Sequence, residues 1–500
     1  MDTITITIPA VKINLSLKDI TFDTIENTVF HTTQQLGRKG LDKALFDIDE
    51  TLKESRPAGT LVNTGKRAKY FLTRLGDIRY KRTRYRDKAT GKARYLLEEH
   101  LGIRKNQRIS LLRAKIEIFL ASLTTYRATE QNVELLTGFK RSHEAIRQSV
   151  IKEAQSITEY QKASLDKTRR LEEIEEDEAP PSHDIAYVET DSTFIRLQRR
   201  YKRKGRSYRR RRRRKRSLEV KLGIGYTDKV KRYRKGRGKD FKLKDKFTYA
   251  SICDGKRFMD NLSLIAEKKL SLSRMKKVIF GGDGGSYITS GIRDFFPEAV
   301  YILSRFHLKR AVKTYLAARP EAQKFVNKLI KKDKIDTVLS LLWKLIQRPK
   351  NRKERIALQD LYTYIRNNRE GINSIKRVED KRIRDNIKGA GAMESNVDKF
   401  LAHRFKKRGM SWSLKGAQSL IKVKEAIANN EWDSWWQGRR DEKIQINPEP
   451  LRQLTSKDFW MKEDDNPPLL EMTLPALRGP DRNEPWAKVI REIQTIDYYK

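Results

Sequence analysis

Residues 278–287 read VIFGGDGGSY. An apolar run at 278–280 stops at two glycines, an aspartate and two more glycines; a helix-like segment follows at 287–296, then an apolar strand at 299–303. A strand that ends in glycines and feeds a helix marks an α/β layer, and Gly281, Gly282, Gly284 and Gly285 let backbone or ligand approach Asp283 closely. Upstream, 185–197, 218–227 and 247–253 are short β-rich stretches, and 256–270 has helical spacing. Three strands in succession, then helix and strand in alternation, predict a mixed sheet flanked by helices. Downstream, 307–388 is helical throughout, with Trp343 and the Leu-rich run 338–346 as its expected apolar face, and 393–428 reads as helical too.

Charge narrows the partner. The 500 residues carry 110 Lys and Arg against 65 Asp and Glu, a formal net charge of +45, so a polyanion is expected. With 37% hydrophobic residues the chain is not of a disordered or fibrous class, and its length predicts two to four domains. The single cysteine, Cys253, excludes a disulfide framework and a Cys-rich zinc module and fits a reducing compartment. Six scattered histidines leave carboxylates as the main ligands for any metal. The first residues lack a signal-peptide pattern and no run of about 18 apolar residues occurs, so a cytoplasmic nucleic-acid-binding protein without a membrane partner is expected.

From 199 to 216, 14 of 18 residues are Lys or Arg, among them Arg209, Arg210 and Arg211. Such a block either binds phosphates or is a solvated loop without specificity. The acidic run EEIEEDE at 172–178 and then Pro180 and Pro181 mark a boundary, and seven of the fourteen prolines lie between Pro448 and Pro485. Before the acidic run, 109–153 reads as several helices; within LTGFKRSHEAIRQSV (136–150), Gly138 can supply a turn and Ser142 a cap. That is the layout of a helix-turn-helix with Lys140, Arg141, His143 and Arg147 on or beside the recognition helix, and an ordinary helical hairpin reads the same. Residues 78–97 look like two strands around a turn at 88–91, with Arg79, Lys81, Arg84 and Arg86 as a basic surface.

Three acids stand out by context: Asp191 in YVETDST, Asp283, and Glu394 in GAMESNVDKF. Tyr187, Glu189 and Asp191 share one face of a strand, where a carboxylate costs desolvation unless a cation or hydrogen bonds offset it. Together the three acids could hold two Mg²⁺ ions, with Mn²⁺ substituting, one activating an attacking oxygen and one stabilising the leaving oxygen of a phosphodiester. Without metal they would repel and titrate as a coupled set. Any one of them alone reads as a turn or cap residue; their joint occurrence in a basic chain points to phosphodiester chemistry.

VETDST, GGDGGSYI, SRFHLKRAV and MESNVDKFLAHRFKKRGMSWSLKGA, with LGDIRYKRTRYRD and YLLEEHLGI upstream, resemble in order and spacing the DDE transposases of the ISLre group of bacterial insertion sequences, over roughly residues 70–430. The resemblance implies a ribonuclease H-like core, interrupted by a helical insertion before its last acid, with Asp191, Asp283 and Glu394 as the acidic triad. It matches His307 to a histidine that contacts the active site or scissile phosphate; as a bland alternative, His307 caps a helix. An Asp usually stands where this chain has Ser304. Lys406, Lys407 and Arg408 would pair with phosphates, and Trp412 would either stack on an unpaired base or fill the core. Trp432, Trp435 and Trp436 are expected to pack a helical layer.

The expected organisation is a small basic β module in 1–108, a helix-turn-helix domain in 109–160, an acidic linker in 161–182, catalytic core in 183–310 and 390–440, a helical insertion in 311–389 and a Pro-rich tail in 441–500. The expected function is that of a DNA transposase that binds terminal inverted repeats in double-stranded DNA, cuts and joins strands with divalent metal, and acts as at least a dimer. Two alternatives share most of these features: an inactive DNA-binding relative, and a ribonuclease H-like nuclease that cuts without joining.

Overall fold

Burial along one strand explains most of the layer structure. In β4 (Ile185–Arg196) the first six residues are all buried, as a strand covered on both faces requires. It lies in the middle of a five-stranded sheet of order β10-β9-β4-β5-β8, where β5 is Ser217–Tyr226, β8 Phe247–Ser251, β9 Lys277–Gly282 and β10 Ala299–Leu303. β5 runs antiparallel to both β4 and β8, whereas β9 is parallel to β4 and β10 parallel to β9. A small antiparallel pair, β6 (Asp228–Arg232) and β7 (Asp240–Lys244), sits between β5 and β8 in sequence. The computed structural model describes residues 21–56, 59–170, 183–198, 217–232, 240–389 and 391–441. These fall into two units: one of 118–130 and 142–433, and one of the described residues before 118 with 131–141 and those from 434 onward.

In the unit that holds the sheet, one face is covered by the helices Gly255–Leu270 and Ser286–Phe295, whose Phe258, Met259, Leu262, Ile288 and Ile292 pack on Ala186, Val188 and Phe280. The helices His143–Arg169 and Leu414–Ala428 pack together, and the second of them also lies against β8. That contact solves an edge problem, because an unpaired edge strand exposes a row of backbone donors. Glu425 and Asn429, one helical turn apart, meet them: Ala250 N donates to Glu425 Oε2 at 3.1 Å and Thr248 N to Asn429 Oδ1 at 2.7 Å, while Asn429 Nδ2 donates to Thr248 O at 2.9 Å.

After β10 the chain leaves the sheet for the helices Arg305–Tyr315, Pro320–Lys331, Ile335–Gln347, Arg352–Asn367 and Lys381–Asn386, as the helical spacing predicts. Their core is Val312, Val326, Leu329, Val338, Leu342, Leu358, Leu361 and Ile365, joined to the sheet through Leu303. The buried stripe of Ile335–Gln347 is Ile335, Val338, Leu342 and Ile346. Trp343, one residue off that stripe, is 55% exposed, contrary to its expected place on the apolar face.

The helices expected around 136–150 form: Tyr126–Thr137, then Gly138 at φ +72°, then His143–Arg169 with Ser142 Oγ accepting from Ala145 N. The second runs 27 residues and buries Ile146, Val150, Ile151, Ala154 and Ile157, so much of its length is a packed structural helix.

The other unit holds the polar helix Phe22–Glu54 and the antiparallel sheet β1 (Leu61–Thr73), β2 (Gly76–Asp87), β3 (Ala93–Arg94). The turn expected at 88–91 joins β2 to β3, with Gly91 at φ +69° and Asp87 Oδ1 accepting from Ala89 N at 2.9 Å and Thr90 N at 3.0 Å. Alternation in β2 buries Ile78, Tyr80, Thr83 and Tyr85 and leaves Arg79, Lys81 and Arg86 exposed, while Arg84, the fourth of the expected basic surface, is half-buried. Among the described residues no helix is long and apolar enough to cross a membrane. Replacing Asn429 by Ala would orphan the Thr248 amide in a buried position; a loss of about 1–3 kcal/mol is expected, read as a lower thermal unfolding temperature.

Candidate active site

Strand register alone sets up a row of three side chains. Glu189 pairs with Gly281 across β4 and β9, which run parallel, so two residues further Asp283 comes level with Asp191. Leu303 pairs with Gly282 across β10 and β9, and Ser304 N continues the ladder to Gly282 O at 2.8 Å, which brings Ser304 beside Asp283. The row lies at the carboxyl ends of parallel strands, where α/β sheets present ligand sites.

Asp283 is held from two sides. Its Oδ1 accepts from Gly285 N at 2.9 Å, and its backbone carbonyl accepts from Tyr364 Oη at 2.8 Å. Asn368, one turn beyond Tyr364, donates to Gly284 O at 3.4 Å and accepts from Tyr301 Oη at 3.0 Å. Gly284 has φ +88°, and a Cβ there would lie 2.5 Å from Asn368 Oδ1, so only glycine fits.

Glu394 arrives from the far end of the insertion and is placed by one face of β4. Tyr187 Oη accepts from Lys388 N at 2.8 Å. Glu189, 3% exposed, accepts at Oε2 from Gly391 N and Ala392 N at 3.0 Å each and from Met393 N at 3.2 Å, and at Oε1 from Tyr226 Oη. Lys229 Nζ lies 3.7 Å from Glu189 Oε1, and its burial holds its pKa below the usual lysine range. Thr193, next on the same face, accepts at Oγ1 from Lys406 Nζ at 3.0 Å. Sequence reasoning put Glu189 on the face of Asp191 but gave it no role; its spacing of two from Asp191 was the only signal.

The helix Arg305–Tyr315 carries His307, whose Nε2 is 3.7 Å from Asp191 Oδ2. Ser304 Oγ donates to Glu394 Oε1 at 3.1 Å. Asp191, Asp283, Glu394, His307, Ser304 and Glu189 all line one pocket. Burial pushes the Asp191 carboxyl up to about 6; repulsion from Asp283 and Glu394 adds to the rise, and the Ser192 N–H and His307 oppose it.

The donor set fits a hard divalent cation: three carboxylates, no thiolate, and mutual repulsion for a cation to relieve. In this structure each carboxylate is turned to a local donor, Ser192 N at 2.7 Å for Asp191, Gly285 N for Asp283 and Ser304 Oγ for Glu394. Accordingly, among the described residues no three Asp, Glu, His or Cys side chains already surround a common point as metal ligands.

The other expected residues are placed as follows. Lys406 reaches the site's strand through Thr193, Lys407 pairs with Asp398 at 3.2 Å on the surface, and the side chain of Arg408 lies outside the described residues. Trp412 is a core aromatic: its ring is 4.8 Å from Phe405, its Nε1 donates to Phe405 O at 3.0 Å, and its backbone bridges to Arg196 and Gln198 at the end of β4. Its ring is therefore not presented to a base. Trp432 and Trp436 are buried and Trp435 is half-buried. Arg141 pairs with the fully buried Glu117, Arg147 makes a bidentate pair with Glu144 at 2.8 and 2.7 Å, and Lys140 lies 3.9 Å from Glu134. Arg209, Arg210 and Arg211, with the rest of 199–216, lie outside the described residues.

The profile of the uncharacterised protein family UPF0236 matches residues 15–443. A UPF0236 protein of Caldanaerobacter subterraneus subsp. tengcongensis, carried under eleven locus labels, is 24% identical over 396 residues, 78% of this chain and 74% of its own. A second from that organism, under four locus labels, is 23% identical over 396 residues, again 78% of this chain and 74% of its own. A UPF0236 protein in the vanSb 3′ region of Streptococcus gallolyticus is 24% identical over 375 residues, 72% of this chain and 73% of its own.

Two outcomes follow from this geometry. Glu189→Gln puts an amide donor against the backbone donors of 391–393 or against Tyr226; hydrogen exchange at those amides should speed up, with a stability loss of about 1.5–3 kcal/mol read as a lower thermal unfolding temperature. Asp191 has a folded pKa above its unfolded value of 3.8, so the fold binds an extra proton between about 4 and 6 and loses stability as pH rises through that window. In metal-free buffer Asp191→Asn should therefore be more stable than wild type at pH 7 by about 1–2 kcal/mol, read as a higher unfolding temperature, with the gain gone below pH 4.

Proposed function

The chain belongs to the uncharacterised protein family UPF0236, and from that premise and the acidic pocket we propose that it is a DNA transposase with a ribonuclease H-like core of the DDE kind, akin to the ISLre group. The observation that carries the reading is the convergence of Asp191, Asp283 and Glu394, from three distant parts of the chain, on one pocket with His307. The strand order supports it: three antiparallel strands, then two parallel strands each preceded by a helix, with a helical insertion between the last strand and the third acid. One relative's eleven loci in a single genome are what a self-copying element leaves behind.

In this reading water attacks the phosphodiester at the element's end, forming a bond to phosphorus as the 3′ oxygen leaves with a proton. The freed 3′ hydroxyl then attacks a target phosphodiester, forming the new 3′–5′ link as the target's own 3′ oxygen departs. Bound Mg²⁺, for which Mn²⁺ would substitute, supplies activation of the attacking oxygen and charge neutralisation on the leaving one, and three carboxylates of this kind suit two ions. Asp191 and Asp283 would share the ions and Glu394 complete one of them. His307, beside Asp191, would donate to a phosphate oxygen, and Lys406, beside Thr193, would hold a neighbouring phosphate.

Terminal repeats in double-stranded DNA would be bound by the exposed Arg79, Lys81 and Arg86 of β2 and by the helical region 109–160, read as a helix-turn-helix, with phosphate contacts positioning and base-edge contacts specifying. Since two ends are joined in one event, the active complex is at least a dimer, acting on cytoplasmic, nucleoid DNA.

The test is cleavage and strand transfer on a labelled duplex carrying repeat ends from the DNA that flanks the gene, with Mg²⁺ or Mn²⁺, comparing wild type with Asp283→Asn. Metal-dependent nicks at the repeat boundary and joined products, both lost in the variant, are expected. Cutting without joining would leave a nuclease of the same fold, and tight binding without cutting an inactive DNA-binding relative; either result overturns the transposase reading.

A further inference from the structure

A groove runs along the insertion between the helices Ile335–Gln347 and Arg352–Asn367, lined by Trp343, Gln347, Arg355, Gln359, Tyr362 and Arg366. Trp343 stands 55% exposed with its ring 5.9 Å from that of Tyr362, and the Arg366 guanidinium is 5.8 Å from the Tyr362 ring. Arg355, Gln359, Tyr362 and Arg366 fall on one face of their helix at spacings of four, three and four. No carboxylate lines the groove, and neither arginine has an acidic partner among the described residues.

A lone exposed tryptophan needs no explanation. An exposed ring flanked by two uncompensated guanidinium groups and two side-chain amides, in a chain of net charge +45, is different. An apolar protein surface laid on it would bury both arginines unpaired, which is costly. A nucleic-acid strand satisfies every group at once: a base stacks on the indole, phosphates take the guanidinium groups, and the amides meet base or sugar edges. Duplex DNA keeps its base faces covered, so the ring selects unpaired nucleotides.

We propose that this groove binds an unpaired stretch of a DNA strand, with a base stacked on Trp343 and flanking phosphates on Arg355 and Arg366; this rests on the transposase reading and deepens it. The helix Arg352–Asn367 then serves both ends of the task, since Tyr364 and the adjoining Asn368 hold the Asp283 turn while Tyr362 and Arg366 face the groove.

The experiment is fluorescence anisotropy of the full chain without divalent metal, on a labelled duplex with flush ends and on the same duplex with a single-stranded overhang. Wild type is expected to prefer the overhang by about tenfold, Trp343→Ala to lose that preference, and Trp343→Phe to keep most of it. Paired charge loss in Arg355→Ala with Arg366→Ala should weaken overhang binding more than flush-end binding. An overhang preference unchanged in Trp343→Ala overturns the groove while leaving DNA binding intact. Failure of wild type to bind either duplex would instead bring down the function it rests on. A Trp343→Ala chain that binds both DNAs like wild type yet has a smaller mass by light scattering would make the occupant a second copy, which also overturns the proposal.

Discussion

A carboxylate shut inside a sheet must find donors, and Glu189 finds them in the backbone amides of Gly391, Ala392 and Met393. Leaving that carboxylate buried without them would cost several kcal/mol, so the segment that carries Glu394 is tied to β4 across some two hundred residues of chain. Everything else at the site is arranged around that tie. Asp191 sits two residues further along the strand, and Asp283 and Ser304 are level with it by register, so one face of one strand brings the whole acidic set to a common pocket. The same face continues at both ends, Tyr187 taking the Lys388 amide and Thr193 the Lys406 ammonium.

The set is electrostatically tight. With Asp191 already raised to about 6 by burial and by its two acidic neighbours, a further carboxylate in the row would add repulsion with no donor to offset it. Ser304 does the opposite: its hydroxyl gives Glu394 a neutral partner. A neutral hydroxyl there adds no charge to the row and keeps Glu394 oriented.

How far the sequence could be read follows from the range of the forces involved. The strand that ends at Asp283 was legible because glycines and an apolar run are local signals, and β10 falls where its apolar residues put it. The mixed sheet and the helical insertion were legible for the same reason. Glu189 was not, because an acid on a strand looks alike whether it faces water or three amides that arrive from the other end of the chain. Trp343 misled because hydrophobicity was counted rather than phased: the buried stripe passes through Leu342 and Ile346, about 100° around the helix from the indole. The polar helix Phe22–Glu54 and β1 carry little apolar periodicity, so no local signal in the sequence marks them. Basic residues near 140 were legible as charge, but their partners were not: Arg141 is spent on Glu117, an acid 24 positions away and fully buried.

The insertion shows why a helical block of this size stands between the last strand and the last acid. A loop of a few residues could return the chain to β4, yet it could not brace the turn after β9. Gly284 adopts φ +88°, and beside the Gly285 amide on its carboxylate the Asp283 turn is held by Tyr364 and the adjoining Asn368, which take the two successive carbonyls of the bend. That bracing needs a rigid helix, and a rigid helix needs a core, which Leu358, Leu361 and Ile365 build against Val338 and Leu342. Once such a core exists its outer surface is free to take on a second task, and the arginine-flanked tryptophan groove lies on the same two helices. The requirement to hold one aspartate at the end of a strand thus accounts for the insertion's interior, and the groove is the part of it that this requirement leaves unexplained.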